Sequence, residues 1–253
     1  MEQQSGVQSL ERAFALLEAL SMQPNGAGLM ELAQATGLHK STAHRLLGAL
    51  CVLGYVERVD AAKYRLTYKM LELSGRLMEG SDVMGSAHGV LDALRDRVGE
   101  TVYMVVREGA QIVYVYKAEC LWLPYRMASH VGARRDMHCT AAGKAILATM
   151  TEAEVREIWR QTDVVPFTPY TITSLDVLLH ELDAVRQKGY AVDDQENELD
   201  VRCIAGAICD HGGRCTGAFS VSAPLTRMGN ERIAELAGEV LRVRRQLGGY
   251  EQR

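Results

Sequence analysis

The sequence predicts an α+β chain of two domains: a mostly helical N-terminal unit ending in a β-hairpin, and a larger unit built on an antiparallel sheet. Three observations carry this. Three helical patterns and one alternating hairpin fill the first 66 residues. Beyond residue 100, period-two strands come in groups flanked by helical segments, the mark of α+β organisation. The 253 residues, 47% of them hydrophobic, are enough for two packed cores.

The first helix is read from SLERAFALLEALS at 9–21, where Leu10, Phe14, Leu16, Leu17 and Leu20 recur at three- and four-residue intervals. PNGAG at 24–28 ends it. LMELAQAT gives a second short helix, and HKSTAHRLLGALCVLG a third, with Leu46, Leu47 and Leu50 on its apolar stripe. GYVERVDAAKYRL then alternates polar and apolar residues around a break at Asp60 to Ala62, a hairpin pattern. Residues 67–80 return to helical spacing through Met70, Leu71, Leu73 and Leu77, forming a linker helix. The expected division is 8–66, then the linker at 67–80, then a second domain at 81–250.

The second domain opens with a helix at about 82–98. Strands follow at about 101–107 and 111–117, and their short turn at Glu108 to Ala110 makes them antiparallel. A third strand is expected near 121–127. Helical patterns occupy 141–149, 151–160 and 174–188, strands recur at about 190–193, 202–209 and 215–222, and a last helix covers 230–247.

A formal net charge of -4 argues against a generally basic coat but leaves room for a local basic face. The run AFALLEAL at 13–20 is interrupted by Glu18, too short and too charged for a signal peptide or membrane span, so a cytoplasmic chain is expected. The six cysteines include no C-x-x-C pair, so reduced thiols are the default.

In LMELAQATGLHKSTAHRLLGAL, Ala33 is small where two helices must cross, and Gly37 can take the left-handed conformation of a tight interhelical turn. These are helix-turn-helix features. The third helix opens with His39, Lys40, Ser41, Thr42, His44 and Arg45, an acid-free cluster of donors at the end that enters the major groove in this motif. Solvated charges on an ordinary three-helix unit would explain the cluster alone. The hairpin tips the balance, because a wing carrying Arg58, Lys63 and Arg65 supplies phosphate contacts beside a groove-reading helix. Double-stranded DNA is therefore the expected partner.

Residues 8–66, including GLHKSTAHRLL and GYVERVDAAKYRL, resemble the DNA-binding domain of the IclR family of bacterial transcription regulators. MHCTAAGKAILA at 137–148 and GYAVDDQENELDVRCIAGAICD at 189–210 resemble the two segments that mark that family's effector domain. The resemblance implies a winged helix-turn-helix joined to a GAF-like effector domain. It also implies a small organic effector, a carboxylate or sugar acid, and a homo-oligomer, a dimer or dimer of dimers, on a palindromic operator.

From the residues themselves, Thr140 is placed to cap a helix starting at Ala141, leaving free N–H groups around Ala141, Ala142 and Gly143, an end that attracts a carboxylate. A buried helix start chosen for packing is the alternative. The resemblance favours a pocket, and implies that Met127, Ala141, Ala142, Asp193, Val201, Cys203, Ser220 and Ser222 line it. Period-two spacing independently puts Ser220 and Ser222 on one face of a strand. Arg126, Arg134 and Arg135 flank the region as loop cations, and Trp122 and Tyr125 form an aromatic stretch beside it. One departure from the family pattern stands out: Cys209 occupies a position that is usually aromatic or His.

The run DDQENELDVRC at 193–203 holds five acidic residues in eleven positions. Asp193 is assigned to the effector, Glu196 matches the family pattern without an assignable role, and Asp194, Glu198 and Asp200 read as solvated loop charges. Two rival classes remain. His138, Cys139, Asp193 and Cys203 are residue types found in enzymes, but no nucleophile elbow, zinc-protease motif or phosphate loop accompanies them. The same Cys and His residues could serve a metal- or thiol-responsive regulator, though Cys203 is expected to lie far along the strand from a Cys209–Cys215 cross-strand pair. No cofactor, metal site or catalytic residue is expected.

Overall fold

The computed structural model describes residues 7–60, 62–79, 82–120 and 127–248, and the chain divides into two compact units, Met1–Ser81 and Asp82–Arg253.

In the first unit, α1 (Gln8–Ser21), α2 (Leu29–Ala35) and α3 (Lys40–Val52) bury a shared set of small and branched side chains. Leu16, Leu17 and Leu20 of α1 meet Leu32 and Ala33 of α2 and Ala43, Leu47 and Leu50 of α3. Each fully buried leucine contributes about 1.5–3 kcal/mol. Leu10 and Phe14, which share the helical spacing, are exposed, so α1 carries a second apolar stripe that this core does not use.

The hairpin consists of β2 (Val56–Val59) and β3 (Lys63–Leu66), with Val56 and Tyr64 turned into the core. The stretch expected only to terminate α1 does more than that. Ala27–Gly28 forms β1, antiparallel to β3 through Ala27 opposite Tyr64. Helix α4 (Lys69–Glu79) begins against the α3–β2 turn, where Thr67 Oγ1 donates to the Gly54 carbonyl at 2.6 Å and Lys69 Nζ to that of Leu53 at 2.7 Å. Its Leu71, Leu73 and Leu77 are exposed.

The second unit contains α5 (Asp82–Val98), β4 (Thr101–Glu108), β5 (Gln111–Ala118), β6 (Arg134–Asp136), α6 (Ala141–Leu147), α7 (Glu152–Gln161), α8 (Leu175–Lys188), β7 (Ala191–Asp194), β8 (Val201–Cys209), β9 (Cys215–Pro224) and α9 (Asn230–Leu247). Its six strands run in the order β6-β5-β4-β9-β8-β7, every neighbour antiparallel. Two three-stranded meanders are thus joined where the first strand of one pairs with the last strand of the other.

Alternation along β8 sorts the layers. Ala205 and Ala207 pack in the core shared with α6, α7 and α8, while a side chain at Gly206 would meet Val240 of α9. Helices α5 and α9 pack together on that second face. The third strand expected near 121–127 falls, at 121–126, outside the described residues, as do Trp122, Tyr125 and Arg126. The sheet edge beside β5 is β6, so Arg134 and Arg135 lie on a strand and not on a loop. No helix among the described residues is long and apolar enough to cross a membrane.

Candidate functional site

Helix α2 ends because Gly37, at φ +64°, turns the chain left-handed, and the Leu38 N–H reaches back to the Ala33 carbonyl at 2.9 Å. This tight closure brings α3 across α2 at buried Ala33. On α3, Ala43, Leu47 and Leu50 face inward, while Lys40, Ser41, His44 and Arg45 share the exposed side, with His39 exposed at the N-cap and Thr42 half-buried. No acidic side chain among the described residues pairs with Lys40 or Arg45, so both charges are available to a polyanion.

The wing presents Arg58, Lys63 and Arg65 to solvent. They are not equivalent. Arg65 lies directly opposite Glu57 and pairs with it at 2.6 Å, and Arg58 sits 5.9 Å over the Tyr64 ring. Arg65 therefore reaches a phosphate only by giving up or sharing its pair with Glu57, which the sequence reading did not anticipate.

In the second unit, strand register assembles a polar patch on the face covered by α6. Asp193 is opposite Cys203, Cys203 opposite Ser222, and Ser222 opposite Thr101; one step along, Ala205 is opposite Ser220 and Ser220 opposite Tyr103. Directly opposed residues project to the same face. Helix α6 closes over this patch, with Thr140 Oγ1 accepting from the Gly143 N–H at 3.1 Å and leaving the first N–H groups of the helix without intrahelical partners. Gly143 is required here: an added Cβ would lie 2.3 Å from the Met137 Cα.

Between α6 and the sheet lies a cavity lined by Met127, Ala141, Ala142, Asp193, Val201, Cys203, Ser220 and Ser222, all eight residues implied by the resemblance. Tyr103, Tyr114, Ser129, Thr140, Asn197 and Glu198 complete the lining. Counting the space open to the centre of a water molecule, it measures about 20 Å³, room for one or two waters. A larger molecule must displace lining side chains, and unbranched Met127 is the most adaptable of them. A wider cleft of about 350 Å³ near Arg186 and Arg244 is shallower and lacks a buried carboxylate.

Asp193 is 4% exposed, and its Oδ1 accepts the backbone N–H of Glu196 at 2.7 Å. Burial, reinforced by the charge of Glu196, pushes its carboxyl up to about 7, against the opposing pull of that N–H. Burial likewise pushes the Cys203 and Cys139 thiols and the Tyr103 and Tyr114 phenols far above their usual ranges. Thiols held protonated in this way are poor nucleophiles and poor metal ligands. Among the described residues no cluster of three or more His, Cys, Asp or Glu could hold a metal ion.

The acidic run 193–203 separates into distinct roles. Glu196, for which the sequence suggested no role, is buried and takes its Oε1 to Lys144 Nζ of α6 at 2.5 Å. Burial raises its carboxyl, and Lys144 acts against that rise. Asp194 is not a free loop charge: its Oδ1 lies 3.0 Å from Arg202 Nε, an ion pair angled too poorly for a hydrogen bond. Glu198, also read as solvated, lines the cavity. Left-handed backbone at Gln195 and Asp200 brackets the loop, and Thr168 and Thr171 donate to the Gln195 and Glu196 carbonyls, each at 2.6 Å.

Residues 76–248 match the family described as bacterial transcriptional regulator IclR C-terminal, and residues 9–60 match the IclR helix-turn-helix domain. The chain belongs to the IclR family. It is similar to the DNA-binding transcriptional repressor YiaJ of Escherichia coli strain K12, 36% identical over 90% of this chain and 82% of that protein. The transcriptional regulator KdgR of the same strain is 34% identical over 92% of this chain and 89% of its own length. Among solved structures, Thermotoga maritima IclR superposes with a TM-score of 0.81 at 32% identity, covering 95% of this chain and 98% of that one. An IclR homolog from Microbacterium hydrocarbonoxydans, crystallised with 4-hydroxybenzoate, shares the fold at 21% identity, with a TM-score of 0.77 over 95% of this chain and 99% of that one. This IclR-family chain is a DNA-binding transcription regulator.

Within that IclR frame, the residues the sequence reading missed include Lys144, Tyr103, Tyr114, Ser129 and Asn197. Lys144 carried a usable signal: a lysine inside the otherwise apolar AAGKAIL helix needs a buried anion. The tyrosines gave none, since TVYMVVR and QIVYVYK read as ordinary strands until strand order fixes which face meets α6.

Proposed function

We propose that this regulator binds a palindromic operator as a homo-oligomer, a dimer or dimer of dimers, and senses a small organic acid in the cavity around Asp193. The supporting observation is the cavity lining itself: eight positions drawn from five separated stretches of sequence converge on one enclosed space. Asp193, Ser220 and Ser222 offer partners for hydroxyl or carbonyl oxygens, and the N–H groups of Ala141 and Ala142 offer partners for a carboxylate.

In this reading residues 8–66 form the DNA-binding domain, 67–80 the linker and 81–250 the effector domain, all in the cytoplasm. His39 to Arg45 enter the major groove while Arg58, Lys63 and Arg65 contact phosphates. The exposed stripes of α1 (Leu10, Phe14) and α4 (Leu73, Leu77) support oligomerisation, because they offer apolar area that a partner subunit would bury.

A thermal-shift screen of short keto acids, sugar acids and aromatic acids including 4-hydroxybenzoate tests the reading, since a ligand that binds the folded state raises its melting temperature. A hit is expected to raise the wild-type melting temperature and to leave Asp193→Ala unmoved. An equal rise in both proteins would place the effector elsewhere.

A further inference from the structure

The cavity around Asp193 does not end at its lining. Asn197 and Glu198 also line a second, outer depression of about 440 Å³, whose other walls include Arg135 and Phe167. Asn197 and Glu198 belong to the walls of both spaces, and the chain just before them is held by Thr168 and Thr171, which donate to the Gln195 and Glu196 carbonyls, and by Lys144, which pairs with the Glu196 side chain.

Arg135 is oriented toward this junction by register. It lies opposite Ile112, which is fully buried in the core cluster, and Tyr114, two residues on and on the same face, lines the inner cavity. Its neighbours are otherwise engaged: Arg134 pairs with Glu108, and Asp136 accepts from Gln111 at 3.0 Å. The Arg135 guanidinium donates only to the Arg134 carbonyl, at 2.8 Å, and pairs with no carboxylate among the described residues. A planar cation with open donors thus stands in the wall of the outer depression, which shares Asn197 and Glu198 with an inner cavity too small for an organic acid by itself.

We propose that the effector is an elongated acid spanning both spaces, its oxygen-bearing head against Asp193, Ser220 and Ser222 and a distal carboxylate paired with Arg135. This rests on the reading of the Asp193 cavity as the effector site. Passage displaces Asn197 and Glu198, and the negative charge of Glu198 makes the Arg135 cation necessary to hold an anion there. Phe167, half-exposed on the outer wall, packs along the apolar middle of the chain.

Isothermal titration of the full chain with matched probes separates the possibilities. The pair 2-oxoadipate and 2-oxohexanoate share a six-carbon 2-oxo acid and differ only in the distal carboxylate; glucarate and gluconate repeat the comparison for sugar acids. In at least one pair the diacid is expected to bind wild type at least tenfold more tightly, the scale of a charge-assisted bidentate contact. Arg135→Gln is expected to remove that preference while leaving the monoacid's affinity and the protein's own melting temperature unchanged. Binding of a monoacid with no gain from the second carboxylate, or a preference that survives Arg135→Gln, overturns the proposal and leaves the Asp193 reading standing. Failure of all four probes also overturns the proposal, and the Asp193 reading is then decided by the thermal-shift comparison of wild type with Asp193→Ala.

Discussion

Lys144 on α6 and Glu196 in the β7–β8 loop form an ion pair whose side chains are 1% and 8% exposed. The pair fixes the loop carrying Asp193, Asn197 and Glu198 to the helix whose start closes the cavity. A second carboxylate, Glu181 of α8, lies 3.3 Å from the same ammonium at the edge of solvent. Lys144 thereby ties α6, α8 and the loop at one point.

Lys144→Met is expected to destabilise the second unit by about 3–5 kcal/mol, because Glu196 is left buried without its cation. Urea denaturation of the single variant and of Lys144→Met with Glu196→Leu checks this. The double variant should recover much of the loss, and equal losses in the two would mean that packing, not charge, sets the cost.

The pH dependence of stability follows from Asp193. Its carboxyl is raised from the ordinary 3.8 to about 7 in the folded chain, so between roughly pH 4 and 7 the folded state binds more protons than the unfolded state. Stability from this group falls as pH rises through that window. Asp193→Asn keeps the Oδ1 acceptor for the Glu196 N–H but does not titrate. Denaturation at pH 5, 6, 7 and 8 should show the Asn variant gaining on wild type as pH increases; a constant difference would show that Asp193 does not titrate in this range.

Gly143→Ala introduces a Cβ that meets the Met137 backbone, which no side-chain rotation relieves. A loss of about 1–3 kcal/mol is expected. Because the strain falls at the start of α6, any stabilisation by a bound acid should shrink as well, measurable by thermal shift.

On the DNA side, Arg45→Ala is expected to weaken binding by about 1–3 kcal/mol on a fragment selected by the wild-type chain, if the residue pairs with a base edge. Arg65→Ala should cost less than Lys63→Ala, since Arg65 is already paired with Glu57 at 2.6 Å. Anisotropy titrations over a range of salt concentrations measure both, and a larger loss for Arg65 would contradict the wing geometry.

Much of the fold was legible because period and punctuation agreed: the helix over 82–98 and the strand pair around Gly109 follow directly from spacing and turn residues. What was not legible depended on long-range pairing. Ala27–Gly28 is a strand only because β3 lies beside it, and Arg134–Asp136 only because β5 presents an edge. The same limit applied to the acidic run: sequence could single out Asp193, but the burial of Glu196, the Arg202 partner of Asp194 and the cavity position of Glu198 all arise from which strands and helices pack around the loop.

The most direct test of the coupling between cavity and DNA is operator affinity measured with and without a stabilising acid, for wild type and for Asp193→Ala. An effector acts only through unequal affinity for the DNA-binding and non-binding arrangements, so the acid should change wild-type affinity, in either direction, by at least about fivefold. Asp193→Ala should bind the operator as wild type does without effector and should not respond. A full response in Asp193→Ala would contradict the assignment of this cavity as the sensor.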